Sequence, residues 1–157
     1  MKKVVKTAVI GYPGVGKSTL IKLLCDIKNL KSTYSPTIGV DFGTVSINND
    51  FQISLWDLAG QEQFHFLWDS FLHGSSLICV VTDSQEKNVK KTKHILDKYR
   101  KNNGAKIIAI ANKQDVQGAM DPQQIENFFG VETIGMVAVD PNNKQKLFNE
   151  LMKYFSR

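Results

Sequence analysis

The chain has 157 residues, a formal net charge of +5 and a hydrophobic residue fraction of 42%. This length suits one domain with one hydrophobic core, and we expect residues 1–157 to form a single domain. No apolar run reaches the roughly 20 residues that a membrane-spanning helix needs, and the N-terminus lacks the apolar stretch of a signal peptide. Composition thus argues against a membrane-spanning, secreted or disordered protein.

The positions of the cysteines and lysines indicate the cellular compartment and the kind of binding partner. Cys25 and Cys79 both lie among apolar residues, so we expect reduced, buried packing residues and a cytoplasmic protein. The densest basic cluster, at residues 87–101, carries apolar residues at helical spacing, which predicts an amphipathic helix with its lysines facing water. Because no aromatic platform accompanies the cluster, we predict no nucleic-acid binding and at most peripheral contact with an acidic membrane.

The first motif in chain order is GYPGVGKS at residues 11–18, which matches the phosphate-binding P-loop pattern G-x-x-x-x-G-K-[ST]. An apolar run at residues 4–10 predicts a strand before it, and residues 17–26 predict a helix after it. In such a loop, backbone N–H groups and the helix dipole surround an anion. Lys17 is expected to reach the β- and γ-phosphates, and the Ser18 hydroxyl to ligate Mg²⁺. The predicted phosphate-binding residues are Gly14, Val15, Gly16, Lys17, Ser18 and Thr19.

The second motif follows a predicted β-hairpin. After a polar segment at residues 28–36, the runs 40–47 and 51–56 are separated by an Asn-Asn-Asp turn. The second run leads into WDLAGQE, where the Asp57 carboxylate can hold Mg²⁺. Gly60 lets a backbone N–H approach a γ-phosphate, and Gln61 has the donor and acceptor that orient an attacking water.

The third motif, NKQD, begins at Asn112. It follows IIAIA at residues 107–111, which with LICVVT at 77–82 predicts parallel strands covered on both faces. The Asp115 carboxylate can accept two hydrogen bonds from guanine N1–H and its 2-amino group, and adenine lacks both donors there. Lys113 can lie along the base while Asn112 ties this loop to the P-loop, so the motif favours guanine.

The remaining elements complete the alternation of strands and helices. Asp121 opens a helix as N-cap, followed by a short strand near 133–139 and a last helix at 144–155. We therefore predict an α/β fold with a mostly parallel six-stranded sheet, one antiparallel hairpin strand and helices on both faces. The histidines have no ligand-spaced partners, so we predict no zinc site; they are His65, His73 and His94.

Together, GYPGVGKS, SPTIGVDF, WDLAGQE and NKQD resemble the small GTPases of the Ras superfamily, and the match covers nearly the whole chain. TIGVDF and WDLAGQEQF are most similar to Rab proteins, whereas NKQD and LWDSF are closer to Arf-type members. The resemblance implies the G-domain fold of P-loop NTPases, GTP and GDP as ligands, Mg²⁺ as cofactor and slow GTP hydrolysis. It also implies a molecular switch whose loops meet effectors, GTPase-activating proteins and exchange proteins.

The resemblance also implies roles for individual residues. Two switch loops, at residues 28–39 and 60–72, relax when the γ-phosphate leaves. The implied catalytic residues are Gln61, Lys17 and Thr37, and the implied Mg²⁺ ligands are Ser18, Thr37 and Asp57. The implied nucleotide contacts outside the P-loop are Thr37, Gly60, Asn112, Lys113, Asp115 and Ala138. Phe42, Trp56 and Phe71 match an effector-contacting trio of Rab-like members, with plain core packing as the alternative.

Several positions depart from the family pattern. Pro13 supplies no N–H and can alter the catalytic approach near Gln61. Val137 lacks the hydroxyl that braces the base-reading aspartate, although the Ala138 N–H can still bond guanine O6. Leu30 replaces an aromatic residue over the base. Lys2 replaces the glycine needed for myristoylation and residues 154–157 contain no prenylatable cysteine, so we expect no lipid anchor if residues 1–157 are the whole protein; a longer protein with a tail or lipid site is the open alternative.

Two alternatives to a GTP-hydrolysing switch remain: a nucleotide-loaded binding module that barely hydrolyses, and a P-loop kinase. Against the kinase, no lid-like segment carries clustered arginines, because the only arginines are Arg100 and Arg157. The same scarcity predicts that any arginine finger comes from a partner. Measured GTP turnover separates the binding module from the switch.

Overall fold

The computed structural model of the chain describes residues 3–25, 32–37, 40–48, 51–58, 66–100 and 105–155. Strands and helices alternate along these residues except for three successive strands, β2 to β4, that follow the first helix. In chain order they are β1 (Lys3–Ile10), α1 (Lys17–Cys25), β2 (Ser32–Thr37), β3 (Val40–Asn48), β4 (Phe51–Leu58), α2 (Phe66–Leu72), β5 (Leu77–Thr82), α3 (Glu86–Tyr99), β6 (Lys106–Ala111), α4 (Pro122–Phe129), β7 (Thr133–Gly135) and α5 (Asn143–Phe155).

The described strands form one sheet in the order β2-β3-β4-β1-β5-β6-β7. The neighbours from β4 to β7 run parallel, and β3 runs antiparallel to both β2 and β4. The predicted α/β fold with one antiparallel hairpin strand is confirmed. The predicted count of six strands is wrong, because the described residues contain a seven-stranded sheet. The unpredicted strand is β2. Its segment is polar, so no apolar pattern predicts it, and main-chain pairing with β3 holds it in the sheet.

Helices cover both faces of this sheet. On the first face, α1 and α5 bury Leu20, Ile21, Leu24, Leu147 and Leu151. On the second face, α2, α3 and α4 bury Trp68, Leu72, Val89, Leu96, Ile125 and Phe129. Because successive strand side chains point to opposite faces, β1 contributes Val5 and Val9 to the first layer and Ala8 and Ile10 to the second. The central strand is therefore buried on both sides.

Two helices form for the reasons that the sequence predicts. At the start of α4, the Asp121 carboxylate accepts from Gln123 N at 2.8 Å, and the Gln124 side chain accepts from Asp121 N at 3.3 Å, which makes a capping box. In α3 the apolar stripe is buried and the lysines face outward. Two of these lysines pair with acidic residues one turn away, Lys90 with Glu86 at 3.3 Å and Lys93 with Asp97 at 3.1 Å.

The cysteine prediction holds for the residue whose side chain is described. Cys79 is buried in β5 as a free thiol, and burial raises its pKa to about 12, so the thiol stays protonated. The Cys25 side chain lies outside what the structure describes. In the described part of the chain, none of the helices is both long and apolar enough to cross a membrane.

Candidate functional site

A crevice forms where neighbouring strands end. β1, β5 and β6 are adjacent and parallel, so their carboxyl ends meet at one edge of the sheet. The helix after β1 packs on the first face and the helix after β5 packs on the second, so the connecting loops diverge. Open α/β sheets bind ligands in such crevices. The P-loop follows β1, residues 56–58 of WDLAGQE end β4 and NKQD follows β6, so the described parts of all three motifs lie at this edge.

The P-loop between β1 and α1 has a backbone that only glycine adopts readily. Gly14 and Gly16 have φ values of +80° and +102°. A Cβ at Gly16 would lie 2.2 Å from Asn112 Nδ2, whereas a Cβ at Gly14 would meet no atom within 4 Å. The loop is thus in close contact with the NKQD segment at Gly16, whereas the space beside Gly14 is unoccupied by protein atoms. An open turn of backbone followed by a helix N-terminus fits an anion.

Lys17 lies across this loop instead of pointing into solvent. Its side chain is mostly buried, and Nζ donates to Tyr12 O at 2.9 Å. Ser18 and Thr19 follow in the first turn of α1, where backbone N–H groups lack helical partners. The Lys17 ammonium and the N-terminal turn of α1 therefore both lie at this loop, and each favours a bound anion.

Asn112 joins three loops through one side chain that is 2% exposed. Its Nδ2 donates to Val15 O at 2.9 Å, and its Oδ1 accepts from Ala138 N at 2.9 Å. Lys113 adds a second link to the P-loop, because its Nζ donates to Gly14 O at 2.7 Å. The predicted tie between NKQD and the P-loop is therefore present. The contact with Ala138 was not predicted, and it engages the N–H that the resemblance assigned to guanine O6.

A pocket lies beside this junction, with Asp115 at its wall. The Asp115 side chain is exposed, and Lys113, two residues earlier, adopts a left-handed φ of +61°. Valine side chains give the pocket apolar surface, and Val139 is 76% exposed. Apolar surface next to a carboxylate suits a flat heterocycle with paired donors. The lining residues are Gly16, Thr19, Asn112, Lys113, Asp115, Val137, Ala138 and Val139.

The candidate Mg²⁺ ligands are spread over three elements. Asp57 lies one residue before the end of β4 and pairs with Val9, so its backbone is at the P-loop edge of the sheet. Ser18 lies in the first turn of α1, and Thr37 ends β2, opposite Val40. Hydroxyl and carboxylate oxygens are the donors that Mg²⁺ prefers, so this donor set fits the ion. In the described ranges, no group of three or more His, Cys, Asp or Glu residues suggests another metal site.

The two predicted switch loops are only partly loops. Ser32–Thr37 is strand β2 and Phe66–Leu72 is helix α2, because pairing with β3 orders the first segment and burial of Trp68 and Leu72 orders the second. Gly60 and Gln61 lie outside the described residues, as do Leu30 and His65.

Sequence reasoning missed Ser84, which lies beneath the NKQD segment. It follows β5, is fully buried, and has a left-handed φ of +69° that is uncommon for serine. Its hydroxyl contacts both Asn112 and Gln114. The available signal was a serine just beyond an apolar strand that ends at the same sheet edge as the other motifs.

Comparison with known proteins agrees with this arrangement. The family model of the ADP-ribosylation factor family matches residues 1–149. ADP-ribosylation factor J of Dictyostelium discoideum is 33% identical over 137 residues, which cover 85% of this chain and 71% of the relative. Ras-related protein Rab-1D of the same organism is 32% identical over 155 residues, which cover 91% of this chain and 75% of that relative. The fold matches the Arl6 BBS3 small GTPase of Trypanosoma brucei, solved with the nucleotide analogue GppNp, with a TM-score of 0.79, 16% identity and 99% coverage of both chains.

Fold, motifs and relatives define a small GTPase of the Ras superfamily, with both Arf and Rab proteins among its relatives. The chain belongs to the ADP-ribosylation factor family. Members of this family bind GTP and GDP and are GTPases. The predicted resemblance to the superfamily is confirmed, and the family match extends over the P-loop, WDLAGQE and NKQD together.

The close approach at Gly16 generates a test of the loop junction. We expect Gly16→Ala to lower the free energy of unfolding by about 2 kcal/mol more than Gly14→Ala. Both variants strain a left-handed residue, but only the first displaces the buried Asn112 amide. Urea unfolding followed by circular dichroism measures both losses. Equal losses would contradict the packed junction.

Proposed function

We propose that this chain binds GDP and GTP, hydrolyses GTP slowly and acts as a nucleotide-dependent molecular switch. The observation that carries the proposal is the Asn112 bridge, which fixes the NKQD segment against the P-loop. A ligand that fills both parts of the crevice has phosphates at one end and a base at the other. Membership of a GTPase family supports the same ligand.

We propose that the P-loop residues 14–19 hold the phosphates. The open backbone at Gly14 and the positive end of α1 support this assignment, since both favour an anion. Lys17 moves from Tyr12 O to the β- and γ-phosphates. Ser18, Thr37 and Asp57 hold Mg²⁺, which when bound neutralises charge on the phosphates.

Asp115 selects guanine in this proposal. Its carboxylate accepts from N1–H and the 2-amino group, and the stem of Lys113 lies along the base. The Lys113 contact with Gly14 O supports this placement, because it holds the stem over the crevice. Ala138 N reaches guanine O6 by sharing or exchanging its bond to Asn112.

In this proposal, hydrolysis depends on residues of three segments. Gln61 orients the attacking water, while Lys17 and Thr37 stabilise charge on the transferred phosphoryl group. Arg100 is not free for this role, because its guanidinium donates to Phe129 O at the end of α4. An arginine from a GTPase-activating partner therefore supplies the missing charge, and the rate of the isolated chain is low.

Switching follows from contacts that exist only with GTP. Thr37 and Gly60 bond the γ-phosphate, and the segments 28–39 and 60–72 rearrange after hydrolysis. The position of β2 supports this, since it is an edge strand with β3 as its one neighbour in the described sheet. Few main-chain bonds then oppose a rearrangement of that strand.

The proposed partners meet the switch segments. Phe42, Trp56 and Phe71 form the effector-facing surface; Phe42 pairs with Trp56 across β3 and β4, and the Lys6 ammonium lies 5.8 Å from the Trp56 ring centroid. We further propose that residues 1–157 act as one cytoplasmic domain without bound nucleic acid. Membrane contact is at most peripheral, because acidic residues offset part of the charge on α3.

Base choice is tested by exchanging one carboxylate for an amide. We expect Asp115→Asn to weaken GDP binding about 100-fold and to gain affinity for xanthosine diphosphate, because the amide can donate to the 2-oxo group of xanthine. Fluorescence titration measures both affinities. Asp121→Asn is the matched control, because asparagine caps a helix as well as aspartate does. Unchanged base preference in Asp115→Asn would refute the assignment.

Hydrolysis is tested under single-turnover conditions. We expect a rate on the order of 10⁻⁴–10⁻² s⁻¹ for the wild type and at least a roughly tenfold lower rate for Gln61→Leu, with GTP affinity nearly intact. The leucine keeps the volume but removes both hydrogen-bonding groups. Gln145→Leu, on the exposed side of α5, controls for the substitution itself. Equal rates for wild type and Gln61→Leu would remove Gln61 from catalysis, and no turnover in either would favour a nucleotide-loaded binding module.

A further inference from the structure

Ser84 forms a buried hydrogen-bonding centre under the NKQD segment. Its hydroxyl donates to Asn112 O at 2.6 Å and accepts from Gln114 Nε2 at 2.8 Å. Its own carbonyl accepts from Met120 N at 2.8 Å. Ser84 alone is therefore hydrogen-bonded to the beginning, the middle and the far end of the loop that carries Asp115.

Gln114 takes part in the same hydrogen-bond network. Its Nε2 donates to Met120 O at 3.0 Å as well as to Ser84, and its backbone N–H donates to Met136 O at 3.1 Å. The loop is therefore anchored on β5 and on the segment after β7. An amide has the two donors that these acceptors require, whereas glutamate or methionine has none.

These bonds fix the direction in which the loop turns. The bond to Asn112 O sets the peptide plane between Asn112 and Lys113, and Lys113 then takes its left-handed φ of +61°. Val116 N donates to Lys113 O at 3.0 Å and completes a tight turn around Asp115. Because Asp115 is exposed, its orientation depends on this turn instead of on packing around its own side chain.

We propose that Ser84 and Gln114 are positioning residues that aim the Asp115 carboxylate and thereby set the preference for a base with a 2-amino group. This inference rests on the proposed guanine-nucleotide function. In this chain Val137 offers no hydroxyl to brace Asp115. The hydrogen bonds of Ser84 and Gln114 supply a brace that acts through the main chain of the turn instead of through the carboxylate.

The preference is measured as the ratio of affinities for GDP and inosine diphosphate, which lacks the 2-amino group. We expect wild type to bind GDP more tightly. Ser84→Ala and Gln114→Met should each lower the ratio about fivefold, because the carboxylate is no longer held in line with the amino group. The double variant should lower the ratio by less than the product of the two single effects, since both lose one shared bond.

A purely structural role gives a different result. If either variant weakens GDP and inosine diphosphate in the same proportion, the ratio stays constant and the inference is wrong, while the proposed function stands. If wild type itself binds both nucleotides equally, the base assignment of the proposed function fails first. Ser75→Ala is the matched control, because it removes a buried serine hydroxyl near the start of β5, at the opposite edge of the sheet. Its ratio should equal that of wild type.

Because the left-handed backbone at Ser84 is strained for any residue with a Cβ, a glycine variant separates the effect of the hydroxyl from that of the strain. Ser84→Gly relieves the left-handed φ and also removes the hydroxyl. If the hydroxyl is what matters, this variant lowers the ratio as Ser84→Ala does, even when its thermal stability equals or exceeds that of wild type. A wild-type ratio in Ser84→Gly would overturn the inference.

Discussion

The buried amide of Asn112 is the contact on which the rest of the candidate site depends. It donates to the P-loop at Val15 and accepts from the loop after β7 at Ala138, so three chain segments share one side chain. An unpaired buried amide costs free energy, so each of these loops is held to the others. Gly16 makes room for the contact, since a side chain there would occupy the position of the amide. The P-loop and the NKQD segment are consequently joined by buried side-chain contacts.

The sheet explains why these loops meet at all. Parallel neighbours bring their carboxyl ends to one edge, and helices on opposite faces draw the loops apart above β1 and β5. The well-packed strands β1, β5 and β6 therefore carry the binding loops, while the edge strand β2 carries Thr37. The proposed nucleotide recognition and the proposed rearrangement therefore involve different parts of the same sheet. This division suits a protein that keeps its nucleotide while its surface changes.

Much of this arrangement was predictable, and what was missed has physical causes. Periodicity predicted the buried strands and the capped helix at Asp121 because apolar runs and capping residues act locally. It missed β2, whose place depends on pairing with β3. Motif spacing predicted the contact of Asn112 with the P-loop. It did not predict Ser84, because a left-handed serine is recognisable only when the loop above it is in place.

We propose that the junction of the P-loop and the NKQD segment recognises a guanine nucleotide. Calorimetric titration of the wild-type protein, freed of nucleotide, with GDP and with ADP in the presence of Mg²⁺ tests it most directly. We expect at least about 1,000-fold tighter binding of GDP, since adenine leaves the Asp115 carboxylate without partners. Equal affinity for the two nucleotides would contradict it, because the crevice would then recognise phosphates alone.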